Sequence, residues 1–437
     1  MPVRFDPPSG TRDFLASEFE AREAAFGIIK EVFARYAFEP LQTPAFERLD
    51  VLMGKYGDES DKLIFKILRR GEHEASGEAD LALRYDMTVP LARVAAAYGS
   101  QLPSPYKRYT IGPVWRADRP GKGRFREFAQ CDLDTLGSAS ALADAEVLCA
   151  VCEALTRLEI PRFTVLLNSR LVLSGLLSAF GVPDELGPDV LTSLDKLDKL
   201  APGEVIAELT GRGLAETGAS ALVEALTAPD STEQVRAALK SIEEGVSGLE
   251  ETDALLALVR SQVPPDQIAF TPRLVRGLSY YTGAIWEVTA PGVPGSIAGG
   301  GRYDGLIASL GGPDVAATGG SLGVERILAL RPAPEGRPGR LDVAVTVMDD
   351  ELAAASFGFA AVAREAGARA SVYLGSSGKL GRQLKWASDA GARFCLIYGR
   401  TEQAEGRVTV RDMASGEQTP VPAGALQAEL SRLLRGG

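Results

Sequence analysis

Histidine is nearly absent. The 437 residues hold one, His73. A single imidazole cannot build a His-rich metal site, and Ser-His-Asp or Cys-His chemistry would depend on that one residue. Cysteine is also scarce. Cys131, Cys149, Cys152 and Cys395 are too few for a disulfide framework in a chain of this length. Cys149 and Cys152 form a C-x-x-C, but they sit in ADAEVLCAVCEALTRL at near-helical apolar spacing, with no second pair and no nearby histidine. They read as buried helix-face thiols rather than a metal or redox pair. No apolar run approaches the ~18 residues of a membrane span. The first residues, MPVRFDPPSGTRDF, have Pro, Asp and Arg where a secretory segment is apolar. The expectation is therefore a soluble protein of a reducing compartment, most simply the cytoplasm, with no membrane partner. Excess positive charge is missing too: 47 Lys+Arg stand against 58 Asp+Glu, net −11. Coating of nucleic acid or anionic lipid by bulk charge is excluded. Neither a G-x-x-x-x-G-K-[ST] phosphate loop nor a dinucleotide-binding βαβ fingerprint occurs. Two possibilities remain: a protein that only binds, or an enzyme that works with arginines, carboxylates and backbone dipoles.

What is present is ordinary in bulk, with 45% hydrophobic and 24% charged residues. The length suggests two to four domains at ~150 residues each. Phe19, Phe26, Ile29, Phe33 and Tyr36 recur at helical spacing over 17–36, followed by the extended FEPLQTP ending at Pro44. LALRY reads as a strand, and DMTVPLARVAAAY as a helix start that Asp86 or Thr88 could cap, with Pro90 in its first turn. YKRYTIGPVWRA and FREFAQCDLDTL read as a hairpin over 105–136 with a basic, Gly-containing tip. Residues 141–158 read as helix and RFTVLLN as strand. From about 170 to 262 the texture is Leu/Ala/Glu-rich and nearly free of aromatics, a helical insertion. Strand signals return in TPRLVRGLSYYTGAIWEVTA and SIAGG. A linker over 331–340 sets off 341–437, where strands alternate with helices as in a small open α/β sheet. Residues 340–437 carry 12 Lys+Arg against 11 Asp+Glu. There Lys379, Arg382 and Lys385 share one broad helix face, which alone reads as a solvated face. The fold class is α/β (α+β), with a first domain over 1–330 that carries the insertion.

Four constellations carry chemistry. The hairpin brings Arg116, Lys122, Arg124, Arg126, Phe128 and Gln130 together, and Gly121 and Gly123 permit close backbone approach. A triphosphate needs several cationic groups from different elements and an aromatic face for its base. The tract Arg276-Gly277-Leu278-Ser279-Tyr280-Tyr281-Thr282-Gly283 reads as a strand whose glycines leave room for a bulge. Gly299-Gly300-Gly301-Arg302-Tyr303 suggests a floor on which a ligand lies directly. Gly319-Gly320-Ser321-Leu322-Gly323-Val324-Glu325-Arg326 is a small-residue strand entering a helix. Arginines at 116, 276 and 326 with carboxylates at Asp86, Asp132 and Asp134 suit a nucleotide triphosphate and a small polar or cationic substrate. The chemistry they favour is attack by a substrate carboxylate on phosphorus, which needs in-line placement and charge neutralisation rather than a protein base.

These residues resemble a known family. PPSGTRDF, LRYDMTVPLAR, IGPVWRADRPGKGRFREFAQCDLD, RLVRGLSYYTG, GGGRYDGL and GGSLGVERI stand in the order and spacing of histidyl-tRNA synthetases, class II aminoacyl-tRNA synthetases, over essentially the whole chain. The resemblance implies a class II antiparallel-sheet catalytic domain and a C-terminal α/β anticodon-binding domain. The hairpin resembles class II motif 2 and the Gly-rich strand–helix motif 3. The helix–strand ending at Pro44 resembles motif 1, the dimer element. It implies ATP and Mg2+, L-histidine, tRNA(His) and a homodimer. Asp86, Thr88 and Gln130 would hold the histidine α-amino end. Asp134 and Tyr281 would read the imidazole nitrogens, with Tyr280 and Tyr303 in the same pocket. Arg116 would hold the α-phosphate, and Phe128 would stack on adenine. Arg124, Arg326 and Gly323 would complete the ATP site. Arg276 would stabilise charge on the reacting carboxylate and α-phosphate. A site bonding both ring nitrogens rejects analogues lacking them by roughly 10⁴-fold. The sequence departs from the family pattern at Ala117-Asp118, at Asp86 and Asp134 where many relatives carry Glu, and at Ser279. His73 is given no role. The competing expectation is a catalytically silent histidine-binding subunit of ATP phosphoribosyltransferase.

Overall fold

A computed structural model describes residues 5–57, 61–71, 76–121, 123–160, 162–275, 280–331 and 341–435. Arg276, Ser279, His73, Lys122 and most of the expected linker lie outside the described residues. The chain divides into two compact units, Met1–Pro332 and Ala333–Gly437.

Among the described residues the strands of the first unit are β1 (Glu39–Pro40), β2 (Phe46–Arg48), β3 (Lys66–Leu68), β4 (Ala79–Leu83), β5 (Tyr106–Trp115), β6 (Glu127–Leu136), β7 (Thr164–Ser169), β8 (Ile268–Phe270), β9 (Ala284–Thr289), β10 (Ser296–Arg302) and β11 (Ala317–Gly323). Eight form one sheet in the order β1-β5-β6-β11-β10-β9-β7-β8. All its pairings are antiparallel except the short edge pairs β1–β5 and β7–β8. Strands β2, β4 and β3 make a separate antiparallel sheet.

One face of the large sheet is covered by helices. The helix Ala16–Arg35 buries Ala25, Phe26, Ile29, Val32 and Phe33, an i, i+3, i+4, i+7 stripe. Phe19, expected on that stripe, is half exposed one turn before the contact begins. The helix Ala141–Arg157 is capped by Ser140, whose Oγ accepts the Leu142 N–H at 3.2 Å. It buries Val147, Leu148, Val151 and Leu155 against the same core. Cys149 and Cys152 are buried on this helix, and burial pushes the Cys149 thiol up to about 11, away from reactivity. The helices from Arg170–Ala179 to Glu243–Val259 close around a core of their own that includes Val190, Leu209, Leu222 and Leu226.

The second unit holds β12 (Val343–Val345), β13 (Ala370–Val372), β14 (Phe394–Ile397), β15 (Arg407–Asp412) and β16 (Gln418–Pro422), ordered β13-β12-β14-β15-β16. The first three run parallel, and the last two are antiparallel additions. Helices Ala353–Glu365, Leu380–Asp389 and Leu426–Arg435 complete an α/β unit. Strand β16 and the short helix Arg400–Ala404 have no counterpart in the sequence reading. Lys385 pairs with Asp389 at 3.1 Å on an exposed helix face.

Candidate functional site

Period-2 alternation on β6 builds the floor of a cleft. Ala129, Cys131 and Leu133 point into the helix-covered core. Gln130, Asp132 and Asp134 therefore point to the opposite face. Register then aligns their neighbours: Gly112, Thr110 and Arg108 on β5, and Gly323, Ser321 and Gly319 on β11. The glycine runs are explained from both sides of the sheet. A Cβ at Gly319 would stand 1.9 Å from Asp134 Oδ1, and Cβ atoms at Gly300 and Gly320 would stand 2.6 and 2.5 Å from the Trp286 ring. The floor reading of these glycines thus changes. Gly299, Gly319 and Gly320 border the cleft, and Gly300 and Gly320 are also held small by the Trp286 ring packed against them.

The cleft has a volume of about 1380 Å³, above the ~300–1,000 Å³ of a single small-ligand pocket. It is bordered by Asp86, Thr88, Arg116, Arg124, Phe128, Gln130, Tyr280, Tyr281, Tyr303, Gly323 and Arg326, so the described part of the expected site converges here. Asp134 is the exception. It does not border the cleft: its Oδ1 accepts Tyr303 Oη at 2.5 Å and its Oδ2 is paired with Arg108 Nη2 at 2.7 Å.

At the hairpin end the groups are cationic. Arg116 Nε donates to the Tyr85 carbonyl at 3.2 Å, and its guanidinium lies 4.3 Å from the Tyr85 ring centre and 5.2 Å from that of Phe128. Asp118 accepts from Arg124 at 2.8 Å, so the shorter acid after Arg116 holds the hairpin's own arginine. Arg326 Nε donates to the Gly123 carbonyl at 3.2 Å and Nη1 to the Ser296 carbonyl at 2.7 Å. Gly123, at φ 72°, supplies the left-handed turn that presents that carbonyl. Both Glu325 oxygens accept the Ala129 N–H at 3.1 Å, and Arg22 lies 3.5 Å away. Glu325 thereby ties the Arg326 helix to the strand carrying Phe128 and Gln130. Burial raises its carboxyl above the usual range.

At the other end the groups are acidic and aromatic. Asp86 Oδ1 accepts Tyr56 Oη at 3.0 Å and the N–H groups of Thr88 and Val89 at 3.1 Å each, capping the helix Thr88–Tyr98. The rings of Tyr280 and Tyr281 lie 4.9 Å apart, and those of Tyr280 and Tyr303 lie 5.9 Å apart. Burial raises the carboxyls of Asp86 and Asp134. It pushes Asp132 up to about 7, with Arg108 offsetting part of the effect and Asp134 and Asp86 adding to it. Tyr56, Arg108, Glu325 and Arg22 were not singled out in the sequence. Arg108 carried a usable signal, a charged residue at the inward parity of YKRYTIGPVW. The others act through long-range contacts that leave no local pattern.

The Asp132 shift has a measurable consequence. Its unfolded carboxyl titrates near ~3.9, so between there and about 7 the folded chain binds more protons. The contribution is favourable at low pH and is lost as pH rises through 7. Asp132→Asn should therefore stabilise the ligand-free protein by about 1–3 kcal/mol more at pH 8 than at pH 5, read from urea midpoints. A pH-independent difference would contradict the buried, raised carboxyl.

Comparison with known proteins agrees with this geometry. The family model described as histidyl-tRNA synthetase matches residues 10–327. The chain belongs to the histidyl-tRNA synthetase family. A second model, described as an anticodon binding domain, matches residues 342–433. Histidine–tRNA ligase of Gloeobacter violaceus is 39% identical, with 94% of this chain and 95% of that protein aligned. The same-named protein of Phocaeicola vulgatus is 36% identical over 96% and 98%. The crystal structure of histidyl-tRNA synthetase from Nostoc sp. PCC 7120 superposes with a TM-score of 0.78 at 29% identity, over 99% of this chain and 100% of that one. The class II catalytic domain and the separate anticodon-binding α/β domain expected from the motifs are thus the observed fold. Among the described residues, no helix is long and apolar enough to cross a membrane.

Proposed function

We propose that the cleft joins L-histidine to ATP, giving histidyl-adenylate and pyrophosphate, and then passes the histidyl group to the 3′ end of tRNA(His). The observation that carries this reading is the convergence on one cleft of Arg116, Arg124 and Arg326 with the carboxylates Asp86 and Asp132 and the rings of Phe128, Tyr280, Tyr281 and Tyr303. Arg116 is anchored on Tyr85 beside Asp86. A histidine carboxylate placed there attacks the α-phosphorus in line, and Arg116 neutralises the charge that gathers on the phosphoryl oxygens. Arg124 and Arg326 face the outer phosphates, and Phe128 offers its ring to adenine. Arg276 is assigned to the same carboxylate–phosphate junction by the family pattern. Tyr281 and Tyr303, the latter bonded to Asp134, form the imidazole end. Proton removal by a protein base is not required, because the attacking carboxylate is already ionised.

ATP brings Mg2+ in this scheme. Among the described residues no group of three or more His, Cys, Asp or Glu could hold a metal ion. The donor set fits an ion carried mainly by phosphate oxygens, with Glu287 and Glu325 among the carboxylates bordering the cleft. When bound, the ion supplies further neutralisation of the phosphates. The second unit is assigned to the tRNA anticodon, and two copies of the chain to a dimer. A silent histidine-binding subunit is the weaker reading, since the anticodon-binding match covers 342–433 and the cleft keeps Arg116, Arg124 and Arg326. Purified protein should catalyse histidine-dependent exchange of pyrophosphate into ATP. No exchange at saturating histidine and ATP would rule the reading out.

A further inference from the structure

We propose that residues 8–14 form a strap that positions the hairpin for ATP, with Gly10 and Arg12 as its positioning residues. The inference rests on reading the cleft as an ATP-using site. The tract PPSGTRDF stands near the start of the chain, and none of its residues borders the cleft. Its contacts are with the hairpin. Ladder pairing of the two hairpin strands ends at Trp115 with Glu127, so residues 116–126 project beyond the sheet. At the base of this tip the Arg116 N–H donates to the Arg126 carbonyl at 2.9 Å, and nearer its end Gly121 and Arg124 pair with each other. The tip's tie to Arg326 uses a side chain assigned to the outer phosphates. Its tie to the strap is made by backbone and needs no such side chain: the Gly10 carbonyl accepts the Arg126 N–H at 2.7 Å and the Glu127 N–H at 3.4 Å.

Only glycine fits where the strap meets the hairpin. Gly10 has φ 85°, in the left-handed region, and a Cβ there would stand 2.7 Å from Arg126 Cγ and 2.9 Å from its Cδ. The Arg126 side chain lies against that backbone, with Nη1 donating to the Ser9 carbonyl at 3.4 Å and Nε to the Asp118 carbonyl at 3.0 Å. One residue thus joins the strap to both arms of the hairpin, and its carbonyl sets the backbone of Arg116. Two residues further on, the Arg12 guanidinium is 4.4 Å from the Phe14 ring centre and 4.8 Å from that of Phe125, a residue that borders the cleft. Phe14 also lies 4.4 Å from the Arg22 guanidinium, and Arg22 Nη2 is 3.5 Å from Glu325 Oε1. Guanidinium–ring contacts within about 6 Å are attractive, so the run Phe125, Arg12, Phe14, Arg22, Glu325 links the hairpin to the helix that carries Arg326. A hairpin held in its binding shape takes up ATP without an ordering cost. One that visits this shape for only a fraction of the time binds more weakly by that fraction.

The test uses the full chain, ATP with Mg2+, and two substitutions that share no chemistry. Gly10→Ala changes no charge but strains the turn and presses on Arg126. Arg12→Ala removes the guanidinium between the two rings. Each should weaken ATP by roughly fivefold or more in titration calorimetry and leave histidine within about twofold. In pyrophosphate exchange the KM for ATP should rise in step while kcat at saturating ATP stays within about threefold, because bound nucleotide re-forms the hairpin. Arg12→Lys, which keeps a cation beside the rings, should recover part of the loss. Weakening by Arg12→Ala alone would make Arg12 a direct contact of ATP. Equal weakening of both ligands would reduce the segment to general stability, and no weakening would leave it idle; each of these overturns the proposal. Wild-type protein whose ATP binding depends on Gly10 and Arg12 but which shows no exchange would support the strap and overturn only the activation reading.

Discussion

Arg116→Ala is expected to lower histidine-dependent pyrophosphate exchange by about 10²–10³-fold, equivalent to about 2.7–4 kcal/mol of barrier. The guanidinium is positioned before any ligand arrives. Its Nε is tied to the Tyr85 carbonyl, and its plane lies near the rings of Tyr85 and Phe128. A donor held in advance needs no reorganisation when charge moves onto the phosphoryl oxygens, so its loss should appear in kcat rather than in the KM for histidine. Arg116→Lys should recover only a part. An ammonium lacks the planar fork that can face a phosphate while one nitrogen stays on the Tyr85 carbonyl. Folding should be little affected, because the side chain is only partly buried and its hydrogen bond to Tyr85 is to a backbone oxygen. Exchange within about fivefold of wild type would place the α-phosphate elsewhere in the cleft.

The elements legible in the sequence are those whose signal is local. The hairpin could be read because FAQCDLDTL alternates small or apolar with polar residues at period 2, and the paired strands are ten residues each. The helix Ala16–Arg35 announced itself by its aromatic stripe. Of the sheet β2-β4-β3 only β4 did, as LALRY, because these strands are three to five residues long and pair with segments up to thirty-seven residues apart. Strand β16, QTPVP, is an edge strand with two prolines and four exposed residues, so neither composition nor alternation marked it. At the site, residue types were legible and their partners were not. FAQCDLDTL announces three polar residues on one face. Only the fold shows that Asp134 is divided between Tyr303 and Arg108. The glycine runs suggest a floor for a ligand, but what approaches Gly300 and Gly320 is Trp286 from the core side.

Arg108→Ala is expected to destabilise the first unit by about 3–5 kcal/mol, the cost of leaving a buried charge without its partner. Arg108 has no exposed surface, Asp134 has 3%, and their closest atoms are 2.7 Å apart. The arginine also donates from Nη2 to the Met87 carbonyl at 3.0 Å, bracing the turn that carries Asp86 and Thr88. Its removal leaves Asp134 and Asp132 facing one another with less opposing charge, so both carboxyls rise further and the loss should grow with pH. The controls separate charge from packing. Asp134→Asn alone should also destabilise, since it strands the guanidinium in the interior. The double change Arg108→Met with Asp134→Leu should recover at least half of the single-variant loss, because apolar groups of similar size replace a pair whose desolvation offsets much of its attraction. Urea unfolding followed by a probe confined to the first unit is the measurement, because two units need not unfold together. An Arg108→Ala loss under about 1 kcal/mol would show that water reaches the pair, and the cleft floor would then be wetter and weaker in its electrostatics than its burial implies.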